Sequence, residues 1–235
     1  MKYLYDLHCH TKEGSKCGAT PVCDMVRYYA EQGFTGFFIT DHFTGNSTVP
    51  ESASWEERVN RIWEIYEEAR SLADELSVLV FPAMEYSLRS SADEFLPVTG
   101  NDFVILGLTR EWLLNNRDAF VLDFHVLSEK LHEAGAYIIH AHPYLEGSWI
   151  KSIILYPRDV DAVEVYNAHA SAEVNAAAEF YASHYGLTKV AGSDNHCSGE
   201  PYIAGIETDK EYTSPEELIA ALRAGKATPF MRKAR

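Results

Sequence analysis

No apolar run in the sequence approaches the roughly 20 residues that a membrane-spanning helix needs, so no such helix is expected. The chain begins Met1-Lys2-Tyr3-Leu4-Tyr5-Asp6-Leu7-His8, which is polar within six residues. That start reads as a strand rather than a signal peptide. Its four cysteines, Cys9, Cys17, Cys23 and Cys197, form no Cys-x-x-Cys pair, which predicts a reduced, cytoplasmic protein. Positive charge is scarce: 20 Lys and Arg stand against 35 Asp and Glu, a formal net charge of −15. A surface that coats long nucleic acid draws its affinity from Lys and Arg on phosphates, so that function is excluded. A local basic pocket for one small anion is still allowed. No internal repeat, low-complexity stretch or linker divides the 235 residues, so residues 1–235 are read as one domain. What is present is a 46% hydrophobic content, ample for a core, and ten histidines in an acidic background.

Short apolar strands alternate with amphipathic helices. Strands are expected at 3–7, 35–40, 77–83, 103–108, 137–140, 162–165 and 188–191. Thr20-Pro21 predicts a helix start with Thr20 as N-cap and Pro21 in the first turn, ending at Gly33. Ser54-Trp55-Glu56-Glu57 has the capping-box form and opens a helix to about Leu76. Further helices are expected at about 120–134, 171–185 and 214–224. Repeated strand–helix units of this length predict a parallel sheet, open or closed into a barrel. In such folds the C-terminal strand ends share one face, and that face carries the site.

Those ends read Asp6-Leu7-His8-Cys9-His10, Thr40-Asp41-His42, Met84-Glu85, His140-Ala141-His142-Pro143, Asn167-Ala168-His169 and Ser193-Asp194-Asn195-His196. Seven imidazoles (His8, His10, His42, His140, His142, His169, His196) are therefore expected on one rim with the carboxylates of Glu85 and Asp194. In a His-x-His strand both rings point to one side, ready for a divalent cation. A mixed imidazole and carboxylate set suits zinc, manganese, iron or nickel rather than calcium. Burying this many imidazoles without partners would cost too much for packing to explain them.

The order Asp6-Leu7-His8-Cys9-His10-Thr11, Ile39-Thr40-Asp41-His42, Glu85, Ala141-His142-Pro143, Glu164-Val165-Tyr166-Asn167 and Ala191-Gly192-Ser193-Asp194-Asn195-His196 resembles the PHP (polymerase and histidinol phosphatase) superfamily. The resemblance spans nearly the whole chain. It implies a distorted (β/α)7 TIM-like barrel holding two to three divalent ions (zinc, manganese or iron) at the C-terminal strand ends, and hydrolysis of phosphoesters. By position it implies that His8, His10 and Asp194 hold a first metal, that Glu85 bridges to a second bound by His142, and that His42 and His196 bind a third. Asp6 and Asp41 then stand behind the imidazoles, or Asp41 simply caps its loop.

Two positions depart from the family pattern. A ligand usually follows the first His-x-His, where this chain has Ser15, Lys16 and Cys17; a histidine usually ends the fourth strand, where it has Thr109. Asp102 precedes that strand and is expected at the opposite rim. His140 or His169 could compensate for either gap. Lys16 is read either as a cation that touches the substrate phosphate or as a solvated loop lysine. Arg89, Arg110, Lys151 and Arg158 are further phosphate candidates. Cys9 should face the core; Cys17 and Cys197 are read as packed thiols, with metal ligation the alternative. Glu13 and Glu200 are read as loop charges rather than ligands. His125, His132 and His184 are read as structural. Tyr144 and Trp149 either contact substrate or shield a loop core.

The expected function is hydrolysis of a small phosphomonoester or nucleotide, by a metal-bridging water that loses a proton and attacks phosphorus in line. Asp194, His196, His42 and Lys16 are the catalytic candidates, with His196 or His42 giving a proton to the leaving oxygen when free of metal. The alternatives are a metal hydrolase acting on non-phosphate substrates and a metal-binding regulatory module without turnover. The expected partner is a small phosphorylated substrate, with no long nucleic acid and no membrane.

Overall fold

The computed structural model describes residues 2–88, 101–147, 150 and 152–235. Arg89, Trp149 and Lys151 lie outside the described residues. Among the described residues nine strands form one sheet: β1 (Tyr3–Asp6), β2 (Gly36–Ile39), β3 (Leu79–Ser87), β4 (Asp102–Leu106), β5 (Tyr137–Ala141), β6 (Ala162–Asn167), β7 (Thr188–Gly192), β8 (Tyr202–Thr208) and β9 (Ala227–Lys233). Their order is β7-β6-β5-β4-β3-β2-β1-β8-β9. β8 and β9 come back against β7 and β6, so the sheet is a nearly closed barrel. The expected TIM-like barrel is therefore present, with two strands beyond the seven expected. β9 has no buried residue, and its Thr228, Pro229, Arg232 and Lys233 break the apolar alternation that would mark a strand.

β1, β2 and β3 run parallel, as do β5, β6 and β7. β4 is antiparallel to both of its neighbours, and its registers pair Asp102 with Ser87 and with Ala141. This reversal overturns the expected placement of Asp102. The start of β4, not its end, lies on the rim where the parallel strands finish. Thr109 lies at the opposite end, where its hydroxyl accepts the Trp112 N–H and caps helix α3 (Arg110–Asn115).

Phe38, Phe81, Val104, Leu106, Ile139, Ala162, Val190 and Ile206 fill the barrel interior. Helix α6 (Pro215–Arg223) packs Leu218, Ile219 and Leu222 against them at the end opposite the histidines. There Gly107, at φ 84°, leaves the space that the Ile219 side chain uses. Helices α1 (Val22–Gln32) and α2 (Trp55–Leu76) cover one outer face, and α3 with α4 (Phe124–Glu133) covers another. Helix α5 (Ala172–Tyr185) packs on β6. The capping box at Ser54 and Glu57 is formed as expected. At α1 the expectation shifts by one residue: Pro21 is the N-cap, and Glu13 accepts the Val22 N–H in place of a Thr20 cap. Proline has no N–H and no side-chain acceptor, so a carboxylate from the preceding loop takes the cap role. Glu13 is thus a structural loop charge. No helix among the described residues is long and apolar enough to cross a membrane.

Candidate metal centre

Strand β1 delivers His8 and His10 to the rim, fully buried and with their Nε2 atoms 3.2 Å apart. Around them stand Glu85 from β3 and Asp194 from the turn after β7. His8 Nε2 lies 3.4 Å from Glu85 Oε1 and 3.5 Å from Asp194 Oδ1. His10 Nε2 lies 3.4 Å from Glu85 Oε2 and 3.1 Å from Asp194 Oδ1. Ligand bonds of about 2.1 Å in a tetrahedral zinc site put the donor atoms roughly 3.4 Å from one another, which is the spacing found here. His142 Nε2 lies 3.2 Å from Glu85 Oε1, and His42 Nδ1 lies 2.8 Å from Glu85 Oε2. His196 stands further out, 3.8 Å from Asp194 Oδ1.

The backbone is bent into rarely used conformations to bring these groups together. His142 has φ 27° and Asp194 φ 52°, both in the left-handed region that residues with a Cβ seldom occupy. Such strain persists where the surrounding structure over-determines it, as at sites of ligand binding. The turn at Asp194 is held by its own N–H, which donates to the His8 carbonyl.

The partners of the two central imidazoles set their tautomers. His8 Nδ1 lies 3.1 Å from Glu164 Oε1, a carboxylate that can only accept, so His8 carries a proton on Nδ1 and turns Nε2 to the centre; burial opposes charge on this ring, but Asp194, Glu164 and Glu85 raise it well above the usual histidine value. Ser15 Oγ donates to Asp41 Oδ1 at 2.7 Å, so His10 Nδ1, 3.0 Å away, donates to Ser15 and presents a bare Nε2. Asp41 also accepts from the N–H and hydroxyl of Thr11, so it both caps the loop and, through Ser15, orients His10. Asp6 touches no imidazole: it accepts from the His8 and Ser193 N–H groups and the Tyr29 hydroxyl, tying β1 to the end of β7. Glu164 is the residue that sequence reading left without a role. A carboxylate at an inward position of β6, between Val163 and Val165, was the available signal.

The electrostatics fit a cation-binding centre. Burial disfavours charge on Glu85, yet His42 and His8 hold its carboxyl well below the usual range. Asp194 is likewise depressed, against burial, by His8 and His10. Burial lowers His10 to about 3. His142 is raised to about 9: burial opposes this, and the Glu85 hydrogen bond with the Asp194 and Glu85 charges outweighs it. Glu85 Oε2, His42 Nδ1 and Asp102 Oδ1 are buried at this centre without a well-formed hydrogen bond among the described residues, although His42 Nδ1 and Glu85 Oε2 stand 2.8 Å apart. Donor atoms crowded together in this way are the pattern that a divalent ion would satisfy. Potential ligand atoms gather as His8, His10 and Glu85; His8, His142 and Asp194; His10, Asp194 and His196; Glu85, Asp102 and His142; and His10, Cys17 and His42.

Asp102 is thus brought to the centre against expectation, by the reversed strand; Cys17, read as a packed thiol or a ligand, is brought there by its loop. Cys17 contacts both His42 and His196; burial raises its thiol, but these imidazoles bring it down to about 7. His140 is turned the other way. It stacks on Phe103 at 5.0 Å in the outer layer, burial lowers it to about 3, and neither ring nitrogen has a partner among the described residues. It joins none of the ligand groups among the described residues, because alternation along β5 sends it to the helix side while the left-handed φ of His142 turns that residue back to the rim. His169 stays at the outer edge, 3.7 Å from Glu200 and edge-on to His196 at 5.2 Å. Cys9 is core, and Cys197 bonds to Glu200. Lys16 is exposed on the loop beside Cys17. Arg110 follows β4 at the opposite end and bonds to Asn60, and Arg158 precedes β6, so neither reaches the rim. His125 and His132 pair with Asp159 and Asp161, and His184 stacks on Phe180. Tyr144 packs beside Tyr181 in a loop core.

Residues 172–227 match the family model described as PHP-associated. No curated protein matches the sequence. Among solved structures, the chain is similar to a two-domain protein from Bacteroides vulgatus described as containing a predicted PHP-like metal-dependent phosphoesterase: TM-score 0.67 and 15% identity, over 98% of this chain and 65% of that one. It is similar to an amidohydrolase from Chromobacterium violaceum with bound sulfate and no metal: TM-score 0.57 and 13% identity, over 95% of this chain and 97% of that one. It is also similar to a lesion-specific endonuclease from Pyrococcus furiosus: TM-score 0.56 and 13% identity, over 97% of this chain and 58% of that one. The chain therefore spans less than two thirds of the Bacteroides and Pyrococcus proteins. At these identities the likeness is one of fold. The barrel is the fold that this chain shares with the PHP-like structure from Bacteroides vulgatus, and residues 172–227 carry the PHP-associated match.

Proposed function

We propose that the protein is a metal-dependent phosphoesterase acting on a small phosphomonoester or nucleotide. The observation that carries this reading is the set of His8 Nε2, His10 Nε2, Glu85 and Asp194, buried together with their donor atoms at 3.1 to 3.5 Å. His8, His10, Glu85 and Asp194 would hold a first cation. Glu85, His142 and Asp102 would hold a second, with Glu85 shared. When bound, divalent cations make water a stronger nucleophile and neutralise phosphoryl oxygens.

The residues themselves do the rest. Glu164 and Ser15 keep His8 and His10 in the metal-binding tautomer. His196, partly exposed at the rim, would give a proton to the leaving oxygen when it is free of metal. Lys16, on the loop at the mouth, supplies a positive charge to the phosphate. The net charge of −15 does not oppose this, since bound divalent ions reverse the local sign at the rim. The four free cysteines fit a reducing, cytoplasmic setting. Long nucleic acid remains a disfavoured substrate on the same charge argument.

The test is metal analysis of protein purified without chelator, followed by a panel of phosphoesters, nucleotides, carboxylic esters and amides. Bound metal with phosphoester turnover, lost in His8→Ala and Asp194→Asn, is the expected result. Turnover confined to esters or amides would move the protein to the non-phosphate hydrolases, a reading that the likeness to an amidohydrolase keeps in view. Bound metal without turnover would make it a binding module.

A further inference from the structure

We propose that Asn167 is a positioning residue of the metal centre: its side-chain amide holds Asp194 by one carboxylate oxygen, so that Asp194 turns the other oxygen to the cation. The inference rests on the reading that the rim binds divalent cations, and it gives a role to an uncharged side chain that is not itself a ligand.

The path of β6 aims this side chain. Regular alternation from Glu164, which points to the centre, would turn Tyr166 inward and Asn167 outward. The pairing with β7 is instead irregular: Glu164 pairs with Val190 and Tyr166 with the very next residue, Ala191, so Val165 is extra. A bulge of this kind re-aims the residues that follow it. Val165 and Tyr166 accordingly both pack on the α5 side with Tyr181 and Ala182, and Asn167, 1% exposed, joins Glu164 on the inner side. Asn175 of α5 clamps the backbone there. The Asn167 N–H donates to Asn175 Oδ1 at 3.0 Å, and Asn175 Nδ2 donates to the Asn167 carbonyl at 3.1 Å.

Both ends of the amide are used. Nδ2 donates one hydrogen to Glu164 Oε2 at 2.9 Å and one to Asp194 Oδ2 at 3.1 Å, and Oδ1 accepts the His169 N–H at 2.9 Å. The orientation of the amide follows, because ionised carboxylates only accept and a backbone N–H only donates. Asp194 Oδ1 is turned the other way, 3.1 Å from His10 Nε2 and 3.5 Å from His8 Nε2. Asn167 therefore grips the far oxygen of a proposed ligand while the near oxygen faces the two imidazoles.

Two costs at the centre are offset by this one group. Glu164 and Asp194 are buried carboxylates that repel one another, and the amide between them offers each a hydrogen. Asp194 also stands at φ 52°, a conformation that would relax if nothing held its side chain. The donor on Oδ2 fixes the plane of the carboxylate and keeps Oδ1 on the cation side. Asn167 touches neither cation nor substrate and acts through Asp194 and Glu164, as hydrogen-bonded partners of ligating carboxylates do in metal sites.

Cobalt(II) is the probe, because its visible absorption bands report the geometry of its ligands. Metal-free protein titrated with cobalt is expected to develop such bands. Asn167→Leu, similar in size and without hydrogen-bonding groups, is expected to bind cobalt about 10- to 100-fold more weakly and with displaced bands. Asn175→Ala removes only the backbone clamp; it is expected to unfold at lower urea concentration while keeping the wild-type affinity and bands. An unchanged affinity and spectrum in Asn167→Leu, or an equal loss in Asn175→Ala, would overturn the assignment. The wild-type protein gives a readout that needs no variant to fold. In heteronuclear NMR the Asn167 side-chain amide protons are expected to exchange slowly with solvent and to shift when zinc is added. Fast exchange or an unmoved resonance would equally overturn the assignment. Cobalt that does not bind the wild-type protein would overturn both this inference and the proposed function. Cobalt binding that depends on Asn167, without phosphoester turnover, would sink the proposed function alone. Turnover together with cobalt binding indifferent to Asn167→Leu would sink only the role of Asn167.

Discussion

Glu164 holds His8 from behind, with its Oε1 3.1 Å from the ring Nδ1, while its Oε2 accepts the His142 N–H at 3.0 Å. One carboxylate of β6 thus orients two of the proposed ligands. Its reach depends on the absence of a side chain at Gly192, where a Cβ would stand 2.4 Å from Glu164 Oε1 and 2.5 Å from His8 Cβ. Glu164→Gln keeps the shape but weakens the acceptor that fixes the His8 tautomer. Metal affinity is expected to fall by about 10- to 100-fold with the fold intact, as for other partners that orient ligating histidines. Calorimetric metal titration checks this; an unchanged affinity would remove Glu164 from the centre.

Asp102 and Thr109 make a matched pair of tests for the reversal of β4. Asp102→Asn is expected to lower the affinity for one cation by about 10-fold or more, since an anionic ligand is lost. Thr109→Val is expected to leave metal binding unchanged and to cost about 1 kcal/mol of stability through the lost cap of α3. The reverse pattern in equilibrium dialysis and urea unfolding would mean that β4 runs the other way.

His140 is a buried imidazole without partners among the described residues, stacked on Phe103 and facing Tyr181 edge-on at 5.8 Å. His140→Phe keeps an aromatic ring and removes two polar atoms that burial penalises. Stability is expected to rise by about 1 kcal/mol, with metal content unchanged. A loss of bound metal in this variant would return His140 to the ligand set.

The proton on His142 gives the metal-free protein a pH signature. Its folded value of about 9 stands above the ordinary 6.5, so its contribution to stability is full below pH 6.5 and is lost as pH rises through 9. The contribution is on the order of 1–3 kcal/mol. Urea unfolding of the metal-free protein at pH 6 and pH 9.5 is expected to show this loss, and His142→Asn is expected to reduce it. Bound cations take the place of that proton, so metal affinity should instead increase over the same range.

Much of the centre was legible in the sequence because parallel strand–helix units bring their C-terminal ends to one rim whatever the details of packing. His8, His10, His42, Glu85, His142, Asp194 and His196 meet on that basis. Glu164 was visible as a carboxylate within an apolar strand, but its partner could not be read from spacing, since His8 lies 156 residues away.

What the sequence determined by itself is the class of fold, the rim that carries the site and the histidines and acids that line it. These follow from local periodicity and from the handedness of strand–helix connections. What only the tertiary structure decided is the direction of β4 and the path of the loop after His10. Strand direction is set by which neighbours a strand pairs with, and an apolar run such as Phe103–Leu106 reads the same either way. That direction moved Asp102 to the rim and Thr109 away from it. Long-range hydrogen bonds from Lys16 to Asn46 and from Ala19 to His196 set the loop path, and they bring Cys17 beside two imidazoles.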